Sequence, residues 1–244
     1  MHETAILSAD ELAAYNRDGY LVHDELLSPA ECDALLERAA AHVACPRQGI
    51  AVQLEPALEN KTAPNDLRAV RKIEGLVQHD DLFRKLAVHP LIFTRIQAIV
   101  GNKVRMFRDA LMMKPAHHGS AKPYHQDSAY WNIKPMDLCS IWVALEDATV
   151  ANGCMRVLPG THRELFEHKH LEDFRVPDEQ LDLSSEVIVP LKKGGVLFFH
   201  SLVLHATPPN TSDTSRRAMV VSYMGAECKW TGAPAEESAW LALN

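Results

Sequence analysis

The stretch GGVLFFHSLVLHAT, residues 194–207, decides the fold that the sequence predicts. After two glycines it is almost entirely apolar and contains Val and Phe, which favour β-strands. The prolines that follow, Pro208 and Pro209, are typical of a strand end. We therefore expect a buried strand that runs into His205 and then turns.

Segments of the same kind lie on both sides of this strand. Apolar runs bounded by Pro, Gly, Asn or Asp predict further strands at 104–113, 139–145, 154–158, 187–191 and 218–223. Within the first stretch, residues 196–200 are the centre of the predicted strand. Many short strands in one chain favour a jelly roll. We predict a mainly β protein with flanking helices, in which a jelly roll follows an N-terminal helical region.

The first hundred residues carry helix signals instead. Ser8 to Glu11 and Ser28 to Glu31 both match the capping box S-x-x-E, which starts helices. Residues 80–100 predict a helix that is interrupted at Pro90 and ends at Gly101. A short strand is expected at 19–23.

These signals predict one domain over residues 1–244. It would consist of a mostly helical preface at 1–100 and a jelly-roll core at 103–224. Residues 45–66, rich in Pro, Asn and Gln, predict a loop, and the charged residues 162–184 predict an insertion between strands.

The composition excludes several classes of protein. A net charge of −7 gives no general attraction for nucleic acid or anionic membranes, and no apolar run is long enough to cross a bilayer. The five cysteines lack CxxC spacing and predict neither a disulfide framework nor a zinc site. The polar N-terminus is unlike a secretory signal. We expect a cytoplasmic protein that acts on a small molecule, without nucleic-acid or membrane partners; no feature predicts an oligomeric state.

The segment Tyr124-His125-Gln126-Asp127 carries the first candidate metal ligands. On a strand, side chains two residues apart share one face, so His125 and Asp127 would point together. With His205 as a third ligand they would form the two-histidine, one-carboxylate triad of non-haem iron enzymes, which leaves coordination positions open.

The H-x-D pattern alone is weak, because a chain with 13 histidines should contain such a match by chance. A second match, His79 to Asp81, falls where a helix is expected to begin, and there residues two apart diverge. Only the pair at 125 and 127 enters the β region beside aromatic residues.

Arg216 is a candidate for binding a carboxylate in the same cavity. In a hairpin, the start of the returning strand lies beside the end of the outgoing strand, so a guanidinium at 216 would face the cavity of His205. The hydroxyl of Thr207 would point to the same end. This arrangement suits 2-oxoglutarate, which can chelate iron(II) through one end while its far carboxylate takes the arginine fork. Arg217 is expected to face away.

Together these residues closely resemble the phytanoyl-CoA dioxygenase family, which includes the ectoine hydroxylases and many natural-product oxygenases. The similarity runs from about Lys72 to Tyr223, through H-Q-D followed by Y-W, then W-V-A-L-E-D-A-T, N-G-C-M-R-V-L-P-G-T-H and F-F-H-x4-H-x-T-x2-N-x5-R-R-A. The resemblance implies that the jelly roll is a cupin-like double-stranded β-helix, with His125, Asp127 and His205 as iron ligands. It also implies contacts with 2-oxoglutarate from Arg216, Thr207, Lys72 and Trp142.

The resemblance implies an iron(II)- and 2-oxoglutarate-dependent dioxygenase. Such an enzyme uses O2 to oxidise, above all to hydroxylate, an aliphatic carbon of a small metabolite or natural-product intermediate, with release of succinate and CO2. Two alternatives stay open: the same cofactors with epimerisation, desaturation or cyclisation as the outcome, or a non-oxidative cupin-type metal isomerase or sensor. Arg216 argues against the second alternative, which needs no co-substrate clamp.

Substrate contacts are expected around the iron. Gln126, Tyr130 and Trp131 are the predicted contacts, because their segment follows the first ligand. Three regions are predicted to line or cover the pocket: 45–66, 162–184 and the C-terminal segment with Trp230 and Trp240. His200 is expected to be a core or supporting histidine, and His117 and His118 are expected to be solvated loop residues.

Overall fold

The structure is a computed structural model that describes residues 7–59, 66–232 and 241–243. As expected, its helices lie in the first hundred residues: α1 (Ala9–Asp18), α2 (Pro29–Ala44), α3 (Leu76–His79), α4 (Asp81–Ala87) and α5 (Pro90–Val100). None of the described helices combines the length with the apolar character that crossing a lipid bilayer requires.

Both predicted capping boxes are confirmed. The Ser8 hydroxyl accepts a hydrogen bond from the Glu11 amide, and the Glu11 carboxylate accepts one from the Ser8 amide at 2.7 Å. Ser28 and Glu31 repeat this exchange at the start of α2, with 2.8 Å for the second bond. The predicted interruption at Pro90 is the start of α5, where a missing N–H does no harm.

The described strands follow one another along the chain as β1 (Tyr20–His23), β2 (Ala51–Leu54), β3 (Val70–Glu74), β4 (Val104–Lys114), β5 (Lys122–His125), β6 (Ile133–Lys134), β7 (Leu138–Ala144), β8 (Met155–Leu158), β9 (Lys169–His170), β10 (Phe174–Arg175), β11 (Val187–Val189), β12 (Val196–His200), β13 (Leu204–Thr207), β14 (Arg216–Met224), β15 (Lys229–Trp230) and β16 (Leu241–Leu243). The larger sheet has the order β1-β12-β7-β14-β4-β3-β2, and β16 also pairs with β4. The smaller sheet has the order β11-β8-β13-β5. All pairs within both sheets are antiparallel, which is the predicted jelly roll.

Strand β7 shows how the layers are held together. All of its residues are buried. Cys139, Ile141 and Val143 belong to a core shared with α2, α4 and α5, whereas Trp142 and Ala144 belong to a core between the two sheets. Because both faces of the strand are buried, its sequence is apolar apart from Ser140 and does not alternate with polar residues.

The single strand predicted at 194–207 is wrong. The structure has two strands there, β12 in the larger sheet and β13 in the smaller sheet, separated by a turn at 201–203. Ser201 marks the break: its hydroxyl donates to the carbonyl of Met136 at 3.1 Å and accepts from the Ser128 hydroxyl at 2.6 Å. The apolar residues on both sides of Ser201 hide this turn in the sequence.

The predicted hairpin between His205 and Arg216 is also wrong. Strand β13 lies in the smaller sheet and β14 in the larger one, so the two strands are not paired. Arg216 still reaches the cavity because the sheets face each other, and alternate residues of β14 lie on the inner face with it.

Residues 45–66 are not one loop. Within the described part of this segment, β2 forms and pairs with β3, a strand that the sequence did not predict. The residues of β2 are exposed or half-buried, and β3 contains the consecutive cations Arg71 and Lys72. Neither strand therefore shows the alternation of apolar residues that would predict it.

Candidate active site

Three side chains converge where β5 and β13 run side by side. His205 on β13 lies opposite His125 on β5 in the strand register. Asp127 begins a short 3₁₀ helix, Asp127–Tyr130, so the prediction that it shares a strand with His125 is wrong. Its Oδ1 nevertheless lies 3.6 Å from Nε2 of His125 and 3.9 Å from Nε2 of His205.

These distances fit a shared metal ion. One donor atom from each of the three residues lies within 4.8 Å of the other two, and within the described residues no other group of His, Cys, Asp and Glu does this. Nitrogen and oxygen ligands bind a transition metal at about 2.0–2.2 Å, so donors around one ion are roughly 3–4 Å apart. Two histidines and one carboxylate suit iron(II) and leave further positions open.

Hydrogen bonds to backbone carbonyls fix the protonated nitrogen of both imidazoles, so that the other nitrogen of each can bind a metal. Nδ1 of His125 lies 2.9 Å from the carbonyl of Pro123, and Nδ1 of His205 lies 3.0 Å from the carbonyl of Val203. A carbonyl can only accept, so Nδ1 must carry the proton in each ring. The Nε2 lone pairs that face Asp127 are then free to bind a metal.

The pKa values of His205 and Asp127 in the buried cluster also favour metal binding. Burial, followed by the charge of His125, lowers the pKa of His205 to about 4. Burial alone would raise the pKa of Asp127, but the neighbouring His125, His205 and Arg108 hold that pKa well below its ordinary value. At neutral pH His205 is therefore a neutral imidazole and Asp127 an ionised carboxylate, the forms that bind metals.

The triad opens into a cavity of ≈ 420 Å³ between the two sheets, within the range of about 300–1,000 Å³ typical of ligand pockets. Its other buried lining residues are Trp142, Met155, Phe199, Ala206, Thr207, Arg216 and Val220. Half-buried and exposed residues complete the lining: Gln53, Arg71, Lys72, Glu74, Arg108, Met112, Lys122, Tyr130 and Trp131.

Arg216 is an isolated cation in the wall of this cavity. It is 3% exposed, and burial lowers the pKa of its guanidinium to about 10. Its Nη1 makes one long bond, 3.4 Å, to the carbonyl of Met112, while its Nε has no partner among the described residues. The guanidinium lies 5.2 Å from the ring centroid of Trp142. A buried guanidinium without a counterion is suited to an anionic ligand.

The structure brings most of the predicted ligand contacts to this cavity. Thr207 and Trp142 line it, and Trp142 lies beside the Arg216 guanidinium. Lys72 also lines it, with its Nζ 3.0 Å from the Glu74 carboxylate. Tyr130 and Trp131 line its more exposed part, as expected for residues that contact a substrate.

Gln126 does not line the cavity. It is fully buried, and its amide group donates to the carbonyls of Glu164 and Leu202 at 2.7 and 2.6 Å and accepts from the Phe166 amide at 2.8 Å. Because these bonds use both amide hydrogens and the oxygen, its side chain holds the 162–184 insertion against β5, and we do not propose it as a substrate contact.

Other histidines and the second arginine lie away from the cavity. His200 accepts from the Leu202 amide at 3.0 Å and faces Asp137, as expected for a supporting histidine. His117, in a loop, pairs with Asp213 at 2.8 Å. Arg217 points away from the cavity to Glu146, at 2.7 Å.

Of the C-terminal residues predicted to cover the pocket, Trp230 packs against another hydrophobic cluster, and Trp240 lies outside the described residues.

The sequence did not predict the cations of the more exposed part of the cavity, above all Arg108 and Arg71. Arg108 lies on β4, four residues from Met112, so alternation places both on the inner face. The signal was present in the strand pattern. It could not be used without knowing which face of β4 borders the cavity.

The sequence of this chain is similar to those of several known proteins. Residues 15–218 match the family model for phytanoyl-CoA dioxygenase. The peroxisomal phytanoyl-CoA dioxygenase of Rattus norvegicus is 28% identical over an alignment of 248 positions, which covers 92% of this chain and 70% of the rat protein. A phytanoyl-CoA dioxygenase domain-containing protein 1 homolog of Caenorhabditis briggsae is 31% identical over 177 residues, 67% of this chain and 61% of that protein.

Solved structures share the fold at low sequence identity. The epimerase SnoN from nogalamycin biosynthesis, in complex with Fe3+, alpha ketoglutarate and nogalamycin RO, has a TM-score of 0.72 at 22% identity over 93% of this chain and 88% of that chain. EctD from S. alaskensis, with 2-oxoglutarate and 5-hydroxyectoine, has a TM-score of 0.73 at 24% identity over 90% and 76% of the two chains. The alpha ketoglutarate dependent carbocyclase SnoK reaches 0.71 at 22% identity over 98% and 97%.

Proposed function

Since the chain belongs to the phytanoyl-CoA dioxygenase family, and is therefore an oxidoreductase, we propose that it uses iron(II) and 2-oxoglutarate to hydroxylate an aliphatic carbon of a small molecule. One observation supports this most directly. The buried cluster of His125, Asp127 and His205 shares a cavity with the guanidinium of Arg216, which makes no ion pair with any described residue. A metal isomerase or sensor would need the cluster but not a buried cation for a second carboxylate.

In this proposal His125, Asp127 and His205 hold the iron. Bound iron(II) supplies the redox chemistry by which O2 oxidises 2-oxoglutarate to succinate and CO2 and places its other oxygen atom in a substrate C–H bond. The contribution of the chain is to fix the ligands. The carbonyls of Pro123 and Val203 hold the Nδ1 protons, so both imidazoles keep their Nε2 lone pairs directed at the ion.

Arg216, Thr207, Trp142 and Lys72 are the proposed co-substrate contacts. The far carboxylate of 2-oxoglutarate would pair with the Arg216 guanidinium and could accept from the Thr207 hydroxyl, since both are buried residues of the cavity lining. Trp142 supports the guanidinium from one side. The surrounding residues Phe199, Met155 and Val220 are apolar, which keeps water from competing for the arginine.

A cytoplasmic location also belongs to this proposal. All five cysteines are free thiols, which fits a reducing compartment, and such a compartment keeps iron ferrous.

The decisive experiment is an anaerobic titration of the iron(II)-loaded protein with 2-oxoglutarate, followed by visible absorbance. Chelation of iron by the 2-oxo acid should produce a weak metal-to-ligand charge-transfer band. We expect the band to be lost in His205→Ala and to need a much higher 2-oxoglutarate concentration in Arg216→Ala. Arg217→Ala is the matched control, because this neighbour points to Glu146, and its titration should equal that of the wild type. Bound iron without a band in the wild type would reject the dioxygenase proposal in favour of the isomerase or sensor.

The reaction outcome is a separate question that product mass can decide. A hydroxylated product gains one oxygen atom, a desaturated or cyclised product loses two hydrogen atoms, and an epimerised product keeps its mass. Succinate released in proportion to a product that has gained oxygen would support hydroxylation over the alternatives.

A further inference from the structure

The cavity carries more positive charge than the proposed reaction requires. Five cationic residues line it against two carboxylates: Arg71, Lys72, Arg108, Lys122 and Arg216 against Glu74 and Asp127. Two of the cations are already paired. Lys72 meets Glu74 at 3.0 Å, and Lys122 meets Asp173, just outside the lining, at 2.7 Å. Three arginines are left in a protein whose net charge is −7.

The three arginines lie at different ends of the cavity. Arg216 is the register partner of Lys114 on β4, and Arg71 on β3 directly precedes Lys72, the register partner of Met112 on β4. Arg108 lies six residues away from Lys114 on the same strand, roughly 20 Å along it at about 3.4 Å per residue. Arg71 and Arg216 therefore belong to the co-substrate end, and Arg108 belongs to the opposite end.

Arg108 has no carboxylate partner within the described part of the chain. It is half-buried, and its guanidinium carbon lies 5.9 Å from the ring centroid of Trp131, which holds it beside an aromatic face. The nearby carboxylate of Asp127 feels its charge but makes no ion pair with it within 4.0 Å. Asp127 is, in addition, the proposed anionic ligand of the metal, so it is committed elsewhere.

From this arrangement we infer that Arg108 binds a carboxylate of the primary substrate, so that the enzyme acts on small carboxylic acids. The inference rests on the proposed function, because it assumes that Arg216 and the metal take both ends of 2-oxoglutarate. A half-desolvated guanidinium beside a ligand cavity gains most from a planar carboxylate, which it can bind through two parallel hydrogen bonds. Tyr130 and Trp131 provide the apolar surface for the remainder of the molecule.

This position for the carboxylate gives the substrate an orientation. Arg108 and the proposed metal ligand Asp127 line the same cavity. A substrate held by its carboxylate at Arg108 would present the rest of its carbon chain to the cavity in which the metal ligands lie. Arg108 would be a specificity-determining residue that touches the substrate without touching the co-substrate.

The test compares ligands that have a six-carbon chain in common and differ in their polar group. Dissociation constants of hexanoate, hexanamide, hexylammonium and hexyl phosphate are measured by ligand-observed NMR on the anaerobic protein loaded with iron(II) and 2-oxoglutarate. We expect hexanoate to bind the wild type at least about tenfold more tightly than hexanamide. The preference should disappear in Arg108→Gln and survive in part in Arg108→Lys, which keeps the charge but loses the fork. Arg217→Gln, which removes a charge outside the cavity, is the control and should keep the full preference.

Several results would overturn the inference. Equal binding of acid and amide, no detectable binding of hexanoate, or an acid preference that survives Arg108→Gln would each reject it. Tighter binding of hexyl phosphate than of hexanoate would reject the carboxylate in favour of a phosphate ester.

The 2-oxoglutarate absorbance band separates this failure from failure of the proposed function. Arg108→Gln should keep the band. Its loss in that variant alone would mean that the guanidinium serves the co-substrate, whereas its absence in the wild type would reject the dioxygenase itself.

Discussion

Gln126 stands between two proposed metal ligands, yet its side chain makes all of its hydrogen bonds with the backbone of other segments. Two carbonyls, of Glu164 and Leu202, and one amide, of Phe166, depend on it. A residue within the H-Q-D motif thus connects the metal-bearing strand to the 162–184 insertion.

Replacing Gln126 with Met should therefore cost stability. Met has a similar size but leaves buried polar groups of the backbone without partners, at about 1–3 kcal/mol for each group that water cannot reach. We expect the free energy of unfolding in urea to fall by about 2–4 kcal/mol. Gln97→Met, at a half-buried site on α5 where no side-chain hydrogen bond is described, is the control and should change stability little. A Gln126→Met protein as stable as the wild type would show that the insertion is held by other contacts.

At the scale of secondary structure, Asp80 joins two helices of the preface. Its Oδ2 lies 2.9 Å from His42 and 3.1 Å from Arg38, both on α2, while its Oδ1 accepts from the Leu82 amide at 2.9 Å and so caps α4. Burial alone would raise the pKa of Asp80, but the hydrogen bonds from His42 and Leu82 and the charge of Arg38 lower it below its ordinary value.

Asp80→Asn should lower the free energy of unfolding at pH 7 by about 1.5–3 kcal/mol, the range for hydrogen bonds to charged groups. A carboxylate whose pKa is lowered on folding stabilises the protein above its unfolded pKa of about 3.9, and this contribution is lost as the pH falls through the folded pKa. The difference between wild type and variant, measured by urea unfolding, should thus be largest above about pH 5 and shrink below about pH 4. Asp81→Asn is the control because its side chain is 91% exposed. A difference that does not vary with pH would contradict this account.

Some of the secondary-structure elements could be predicted from the sequence, and others could not. Capping boxes and Pro90 located helix starts, because their signals are contained within four residues. The turn at Ser201 and the strands β2 and β3 were missed, because each depends on contacts with segments far away in the chain. His125 and Asp127 were paired by strand alternation and do converge, but through a 3₁₀ helix that follows the strand.

At the scale of the whole molecule, the candidate site is divided between the two sheets. The three proposed metal ligands come from β5, the turn after it and β13, all in or beside the smaller sheet, whereas Arg216 and Trp142 come from the larger sheet. Motif spacing could identify these residues one by one. The charge of the cavity, and with it Arg108, was not predictable, because it depends on which faces of β3 and β4 border the space between the sheets.

This division predicts a stepwise pattern of hydrogen exchange. Mn(II), used in place of iron(II), should slow amide exchange in β5, the 3₁₀ helix after it and β13 when added alone, since the proposed ligands of the ion lie in these three elements. Adding 2-oxoglutarate should extend protection to β14 and β7, because the co-substrate would connect the ion to Arg216. At ligand concentrations of 100 times Kd, exchange should slow by up to about a hundredfold, equivalent to about 2.7 kcal/mol.

The variants separate the two steps. In Arg216→Ala, Mn(II) should still protect the smaller sheet, while the extension to β14 and β7 should be lost; Arg217→Ala should behave as the wild type. If Mn(II) alone protected both sheets equally, the metal would be bound by groups beyond the three proposed ligands. If 2-oxoglutarate extended protection without Arg216, the co-substrate would not connect the sheets through that guanidinium, and the link between cavity geometry and co-substrate binding would be wrong.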